Sequence, residues 1–192
     1  MIKKGFTLIE VLISLLILAF VISGFIATVV TSITSFRLSK ARYLGTKIAE
    51  EGIELVINKR DNNVICAKST TCSICDWRLG LLDYPGGSSN CSNLQDHNWD
   101  VDATKTDELL AGNTFAQYNP ASLICTKPLS GNQFGICSGA ETPIPGNYNR
   151  KIEVLRVSGS LTDSAVKVRS IVTWRSKSVN YSVTLEQILF GL

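Results

Sequence analysis

Residues 1–30 read MIKKGFTLIEVLISLLILAFVISGFIATVV, and they carry the strongest structural signal of the chain. From Phe6 to Val30 the segment contains one charged side chain, that of Glu10. A helix needs roughly 20 apolar residues, at about 1.5 Å of rise each, to cross the hydrocarbon core of a bilayer. The segment therefore predicts a transmembrane helix over residues 6–30.

The position of a small residue separates this segment from a secretory signal peptide. A signal peptide has a shorter apolar region that ends at a small-residue cleavage site. Here no Ala-x-Ala site follows the apolar run, whereas Gly5 precedes it. Cleavage at Gly5 would leave the helix attached to the rest of the chain.

Glu10 is the unusual feature of the apolar run, because a carboxylate inside a membrane is costly unless it has a partner. Cleavage after Gly5 would create one, the new amine of Phe6, about one helical turn away. Within one chain that amine lies along the helix axis, in poor geometry for a pair. Between neighbouring chains shifted along the axis, the amine of one can reach the carboxylate of the next. The alternative is an ordinary N-terminal anchor with Glu10 near the membrane interface.

The stretch from Lys3 to Ile13, KKGFTLIEVLI, resembles the class III leader of type IV pilins and type II secretion pseudopilins. The resemblance implies cleavage between Gly5 and Phe6 by a prepilin peptidase, N-methylation of Phe6, and a role for Glu10 in subunit docking and register. It also implies a pilin-like fold. The partners that it implies are other pilin or pseudopilin subunits, the prepilin peptidase and an inner-membrane assembly platform.

A looser similarity extends further along the chain. Residues 49–54 and 59–63, together with the closing strands, resemble minor pilins of the PilV type. Many major pilins carry a helix-bending proline in the apolar run, and this chain has none there. Both observations favour a minor subunit.

The length and charge of the chain fit an exported, membrane-anchored protein. Its 192 residues leave room for one modest domain after the helix, and not for a second, enzymatic one. The formal net charge of +3 becomes +1 (3 minus 2) once Lys3 and Lys4 leave with the leader, so no nucleic-acid partner is predicted.

The two leader lysines also predict the orientation of the helix. By the positive-inside rule they hold the N-terminus in the cytoplasm. We therefore expect the chain to cross the inner or cytoplasmic membrane once, with its head outside the cytoplasm. From there it is expected to join an extracellular or periplasmic filament.

Composition divides the chain into five segments. They are a leader (1–5), a transmembrane or filament-core helix (6–30), an amphipathic extension of that helix (31–60), a cysteine-rich and loop-rich region (61–147) and a C-terminal β-sheet region (148–192). The expected fold is α+β, with a long N-terminal helix packed through its amphipathic half on a small antiparallel β-sheet head.

The amphipathic extension is predicted from helical periodicity. One side carries Ala41, Leu44, Gly45, Ile48, Gly52, Leu55 and Val56, and the other carries Lys40, Lys47, Glu50, Glu51 and Glu54. Because glycine is unfavourable in an exposed helix, Gly45 and Gly52 are predicted to lie where a sheet or another helix approaches closely. The helix is expected to end near Lys59, before the turn-like residues 60–63.

Strands are predicted from alternation and turn residues. Short ones are expected at about residues 98–103 and 122–126. A longer one covers 148–157, with a break in alternation that could mark a bulge. The chain then closes on an antiparallel hairpin with its turn at 175–178, and one face of its first strand carries Val166, Val168, Val172 and Trp174.

All six cysteines lie in the loop-rich region. An even number in an exported region favours disulfides, and Cys125 with Cys137 is the favoured single bridge. The other four, which allow three pairings, are Cys66, Cys72, Cys75 and Cys91. Two alternatives use the spacing of Cys72 and Cys75, namely a four-thiolate zinc site or a redox-active pair.

Asp96, Asn98, Asp100 and Asp102 place oxygen ligands at alternate positions, as calcium-binding loops do. The run lacks the glycine that an EF-hand needs at its sixth position, where Val101 stands. These residues are weak calcium candidates, and the alternative is a solvated turn that leads into a strand. No cofactor is predicted.

Catalytic motifs are not found in the sequence. It contains one histidine, His97, and no Gly-x-Ser-x-Gly or Walker-type loop. We therefore predict no enzymatic activity. The predicted function is that of a structural subunit, a minor pilin or pseudopilin, of a type IV pilus-like filament, including a secretion pseudopilus or a DNA-uptake pilus. The alternative is a membrane-anchored binding module or adhesin with a disulfide-stapled head.

Overall fold

A computed structural model describes residues 7–68, 77–78, 80–82, 97–101, 115–117, 119–127, 133–138, 141–157, 165–176 and 178–191. It confirms the predicted α+β class, because a long N-terminal helix is followed by antiparallel strands. By its internal contacts the chain divides into two compact units, Met1–Ala41 and Arg42–Leu192. The second unit is the head.

The helix α1 spans Leu8–Ala67. The predicted end near Lys59 is wrong, because the polar residues that follow do not form a turn. Asn63 is buried in the head, and its Nδ2 donates a 2.8 Å hydrogen bond to the carbonyl of Trp77. Cys66, near the end of the helix, is buried and disulfide-bonded. The helix therefore occupies the first residues of the segment that was predicted to be loop-rich.

The described strands are β1 (His97–Val101), β2 (Phe115–Gln117), β3 (Ile124–Lys127), β4 (Gln133–Ile136), β5 (Asn149–Arg156), β6 (Ala165–Ser176) and β7 (Val179–Phe190). Five of them form a sheet in the order β2-β1-β5-β6-β7, and β3 pairs with β4 in a second sheet. All neighbouring strands are antiparallel. β1 and β3 lie close to the two short strands predicted from sequence.

The predicted C-terminal hairpin is formed by β6 and β7, whose pairing is uninterrupted along both strands. β5 pairs with β6 equally regularly, so the predicted bulge is wrong. The break in sequence alternation has a simpler cause. Leu155 is a partly exposed apolar residue, and it stands beside the buried Val154 on the opposite face of the strand.

The inner face of the large sheet, defined here as the face that packs on α1, carries the predicted apolar side chains. Those of β6 are Val166, Val168, Val172 and Trp174, and all are buried. The close approach predicted at the two glycines is confirmed. A Cβ atom at Gly45 would lie 2.9 Å from Cζ3 of Trp174, and one at Gly52 would lie 2.7 Å from Cδ1 of Ile152.

The core lies between α1 and the inner face. Its buried members are Leu55, Val56, Leu81, Leu82, Ile152, Val154, Val166, Val168 and Leu189. Burial of apolar surface stabilises a fold by roughly 25 cal/mol per Å². The amphipathic half of α1 is therefore an integral part of the head.

Glu51 departs from the predicted pattern. Both of its carboxylate oxygens lie 3.1 Å from the backbone nitrogen of Phe134 in β4, which donates to them. One oxygen also lies 3.8 Å from Nη1 of the buried Arg150, which donates to the carbonyl of Ile48 at 3.0 Å. The polar side of the helix that was predicted to carry Glu51 therefore also contacts the head, and helical periodicity does not reveal a partner 83 residues away.

The small sheet of β3 and β4 contains the predicted disulfide between Cys125 and Cys137, with an S–S distance of 2.05 Å. Cys125 is buried in β3, and the backbone nitrogen of Cys137 donates to the carbonyl of Leu123 at 2.9 Å. Because the two cysteines are 12 residues apart, the bridge closes a short loop. Such a loop closure stabilises a domain by about 3 kcal/mol.

Candidate functional site

The first part of α1 exposes its apolar side chains on all sides. Leu8, Phe20 and Phe36 are 78%, 72% and 71% exposed. By length and composition this part of the helix is able to cross a membrane. A helix that is apolar all round needs apolar surroundings, so this segment requires either lipid or other apolar helices.

Hydroxyl groups in this segment bond to the backbone of their own helix. Within residues 7–36, all of which the structure describes, the donors are Ser14, Ser23, Thr28, Thr31, Ser32 and Thr34. Each donates to a carbonyl three or four residues earlier, at 2.8 to 3.2 Å. A hydroxyl that is satisfied in this way does not need water. These residues were not among the predicted site residues, although their type and helical setting were the available signal.

Glu10 is the polar residue that remains. It lies in the first turn of α1, it is exposed, and it is the only charged residue between positions 7 and 36. Its backbone N–H donates to the carbonyl of Thr7 at 3.1 Å. Its carboxylate forms no ion pair or side-chain hydrogen bond with any residue in the described part of the chain. The site is therefore a carboxylate on an apolar surface that needs a counter-charge.

Position in the helix also matters for this carboxylate. The helix macrodipole places partial positive charge at the N-terminus, which favours an anion in the first turn. The other two residues of the predicted site, Gly5 and Phe6, lie outside the described residues. Cleavage after Gly5, N-methylation of Phe6 and the contact between the Phe6 amine and Glu10 accordingly stay predictions.

Comparison with known protein families adds an independent observation. Residues 1–33 match the family model described as the prokaryotic N-terminal methylation motif. The match covers the segment predicted to be the leader, Glu10 and the exposed apolar part of α1 as far as Ile33. No curated protein and no solved structure matches the chain.

The matched motif is that of type IV pilin-like proteins that a prepilin peptidase processes, and these proteins are structural and not enzymatic. Together with the exposed apolar helix, it indicates that the N-terminal segment anchors the protein in a membrane.

Of the four remaining candidate cysteines, Cys66 lies among the described residues. Cys66 is disulfide-bonded, so it offers no thiolate to the alternative zinc site. Cys72, Cys75 and Cys91 lie outside the described residues. Among the residues that the structure does describe, no group of three or more His, Cys, Asp or Glu side chains could hold a metal ion.

Two of the four calcium candidates lie among the described residues. Asn98 and Asp100 lie in β1, which pairs with β2 on one side and with β5 on the other. Asp96 and Asp102 lie outside the described residues. A calcium-binding loop curves around its ion, whereas a strand that is paired on both sides is extended. Calcium binding stays a prediction.

Proposed function

We propose that this chain is a structural subunit, a minor pilin or pseudopilin, of a type IV pilus-like filament. The observation that carries the proposal is the exposed apolar surface of the first part of α1, where Glu10 is the only charged residue between positions 7 and 36. In lipid that surface makes a membrane anchor. In a filament, the apolar surfaces of neighbouring helices would replace the lipid.

Glu10 supplies register in this proposal. After cleavage at Gly5, the Phe6 amine of one subunit pairs with the Glu10 carboxylate of the next. In a medium of low dielectric constant, breaking a buried ion pair costs about 3 kcal/mol or more, because one charge is left uncompensated. A subunit that is shifted along the filament axis is therefore strongly disfavoured. The pair selects one axial position, and the apolar contacts supply most of the binding free energy.

The proposed partners follow from the same assembly. They are other pilin or pseudopilin subunits, the prepilin peptidase that removes residues 1–5, and an inner-membrane assembly platform. The subunit enters the inner or cytoplasmic membrane with its head outside the cytoplasm, and then joins an extracellular or periplasmic filament. The PilV-like stretches and the absence of a proline in the apolar run support a minor subunit.

Replacement of Glu10 by Ala tests the proposal. We expect incorporation into filaments to fall by more than about tenfold, since an unpaired buried charge costs more than about 1.4 kcal/mol. Membrane insertion and folding of the head should not change. The measurement is the amount of subunit in sheared filaments relative to the membrane fraction. Mass spectrometry of the mature N-terminus should show methylated Phe6.

Glu54→Ala is the matched control, because it removes an exposed carboxylate from the same helix within the head. It should leave incorporation unchanged. Normal incorporation of the Glu10→Ala variant would refute the register role. A correctly inserted and processed wild-type protein that never enters a filament would instead favour the membrane-anchored binding module or adhesin.

A further inference from the structure

The head contains a cleft on the outer face of the large sheet, opposite to the face that packs on α1. The cleft has a volume of about 530 Å³, within the range of small-molecule sites. Its walls are the end of the β6–β7 hairpin and the segment Pro120–Leu123. The described residues of this cleft are all in the head, so the cleft is separate from the proposed assembly site.

Polar side chains converge on this cleft because of strand register. Thr173 of β6 lies opposite Asn149 of β5 and opposite Ser182 of β7. Two residues further along β6, Arg175 lies opposite Asn180. Since alternate residues of a strand share a face, these side chains form two adjacent cross-strand rows that line the cleft.

Arg175 differs from the other basic residues of the outer face. Lys151 lies 2.5 Å from Glu153, and Lys167 lies 2.8 Å from Glu186. Arg169 is also paired, through Nε, with Glu186 at 2.5 Å. The guanidinium of Arg175, by contrast, has no carboxylate partner in the described part of the chain, and none of the described residues that line the cleft is acidic.

The wall of the cleft is fixed in place. The buried Asn149 donates from Nδ2 to the carbonyl of Ser122. The backbone nitrogen of Ile124 donates to the carbonyl of Tyr148 at 2.8 Å, and that of Arg175 donates to the carbonyl of Gly146 at 2.9 Å. The disulfide-bonded strand β3 follows directly. Pre-organisation of this kind lowers the entropic cost of ligand binding.

Trp174 lies between Thr173 and Arg175 in β6, and its side chain points to the inner face of the sheet, opposite to the cleft. Its ring stacks between those of Tyr148 and Tyr181, with centroids 5.6 and 5.8 Å away. The Cζ3 edge of the ring faces Gly45 of the helix. These core contacts hold in place the strand that carries Thr173 and Arg175 on its outer face.

Asn147 adds backbone evidence. It lines the cleft with φ at 50°, next to Gly146 with φ at 112°. Left-handed conformations are uncommon outside glycine, and asparagine is among the side chains that tolerate them best. Asn147 thus lines the same cleft as Arg175 and Asn180.

We propose that this cleft binds a small polyhydroxylated carboxylate, the chemistry of an acidic monosaccharide. A carboxylate matches the fork of donors on Arg175. Ligand hydroxyls match amides and hydroxyls that both donate and accept, and these belong to Asn147, Thr173, Asn180 and Ser182. Binding at this site does not depend on filament assembly.

The test is a titration of the full chain in detergent micelles with glucuronic acid and, as the neutral match, glucose. The ¹⁵N resonance of the Asn147 side-chain amide, assigned with an Asn147→Asp variant, reports on the cleft. We expect glucuronic acid to shift this resonance and to bind at least about tenfold more tightly than glucose. No shift up to about 50 mM glucuronic acid, or equal affinity for both sugars, would overturn the proposal.

Three variants complete the test. Arg175→Gln should lower the affinity for glucuronic acid by at least about tenfold. Asn180→Asp places a carboxylate opposite Arg175 without a change of shape, and should have the same effect. Arg169→Gln, on the same strand and the same face but outside the cleft, should change the affinity by less than about twofold. Equal effects of the Arg175 and Arg169 substitutions would reject the site, and tryptophan fluorescence verifies that each variant is folded.

Discussion

The two parts of α1 follow the same backbone geometry but have different environments. The part in the first unit exposes apolar side chains all round, whereas the part in the head buries one stripe that includes Ile48, Val56 and Gly52. The first part needs apolar contacts from outside the chain, whereas the second part is stabilised by packing on the sheet. A continuous helix can thus combine a surface for lipid or partner helices with a surface for its own domain.

The glycines show the difference most clearly. A Cβ atom at Gly24, in the first part, would meet nothing within 4 Å. At Gly52, in the head, it would lie 2.7 Å from Ile152, 2.8 Å from Ser170 and 3.0 Å from Arg150. The absence of a side chain is therefore required by packing at Gly52, whereas the chain itself imposes no such requirement at Gly24.

The largest effect on stability is expected from Gly52→Ala. The overlap with buried atoms costs up to about 3 kcal/mol, and the gain in helix propensity returns about 1 kcal/mol. We expect a net loss of about 2 kcal/mol in the free energy of unfolding of the head. Urea unfolding of the full chain in micelles, followed by tryptophan fluorescence, measures it.

Gly24→Ala is the matched control, and it should leave the unfolding midpoint of the head unchanged. A stabilised Gly52→Ala variant would show that the helix can shift away from the sheet far enough to fit a methyl group without a loss in the free energy of unfolding. In that case the distinction between the two parts of α1 would be lost.

A smaller effect is expected from Glu51→Ala. This change removes the acceptor of the Phe134 N–H and a carboxylate that lies 3.8 Å from the buried Arg150. Hydrogen bonds to charged groups contribute about 1.5 kcal/mol or more, so the head should lose about that much stability. The same urea titration provides the measurement.

Glu50→Ala, at the neighbouring position, is the control. It removes one negative charge from the helix, as Glu51→Ala does, but it removes no contact with β4. Glu50 forms an exposed pair with Lys47 at 2.7 Å, and such pairs contribute less than about 1 kcal/mol. Similar losses in the two variants would contradict the bridging role of Glu51.

The smallest effect concerns pH and the outer face of the sheet. Hydrogen bonds from Lys167 and Arg169 lower the pKa of Glu186 below its ordinary value of 4.5. A lowered pKa in the folded state stabilises the head above the unfolded pKa, and that contribution is lost as the pH falls through the folded pKa. Glu186→Gln should therefore reduce the loss of stability below about pH 4.5. Urea midpoints measured between about pH 3 and 6 check this, and parallel pH profiles would contradict it.

Several features of the head were correctly predicted because their signals are local or periodic. The positions of Gly45 and Gly52 follow from helix propensity combined with a stripe of apolar residues. The apolar face of β6 follows from alternation. The bridge between Cys125 and Cys137 follows from cysteine number and spacing. In each case a few neighbouring residues contain the necessary information.

Other features could not be predicted, because they depend on partners far away in sequence. The helix continues past Lys59, where Asn63 donates a hydrogen bond to the carbonyl of the distant Trp77. β1 lies between β2 and β5, a pairing order that alternation does not encode. The cleft at Arg175 arises where Pro120–Leu123 crosses the end of the sheet.

The sequence by itself determined the N-terminal segment of this protein, from the processing motif to the apolar helix and its one carboxylate. Such a segment interacts with solvent, lipid or other chains, so its composition alone specifies its behaviour. The tertiary structure decided which polar residues of the head are buried and bonded, and where its cleft lies. Those outcomes depend on strand register and on helix–sheet contacts, because both bring together side chains that are distant along the chain.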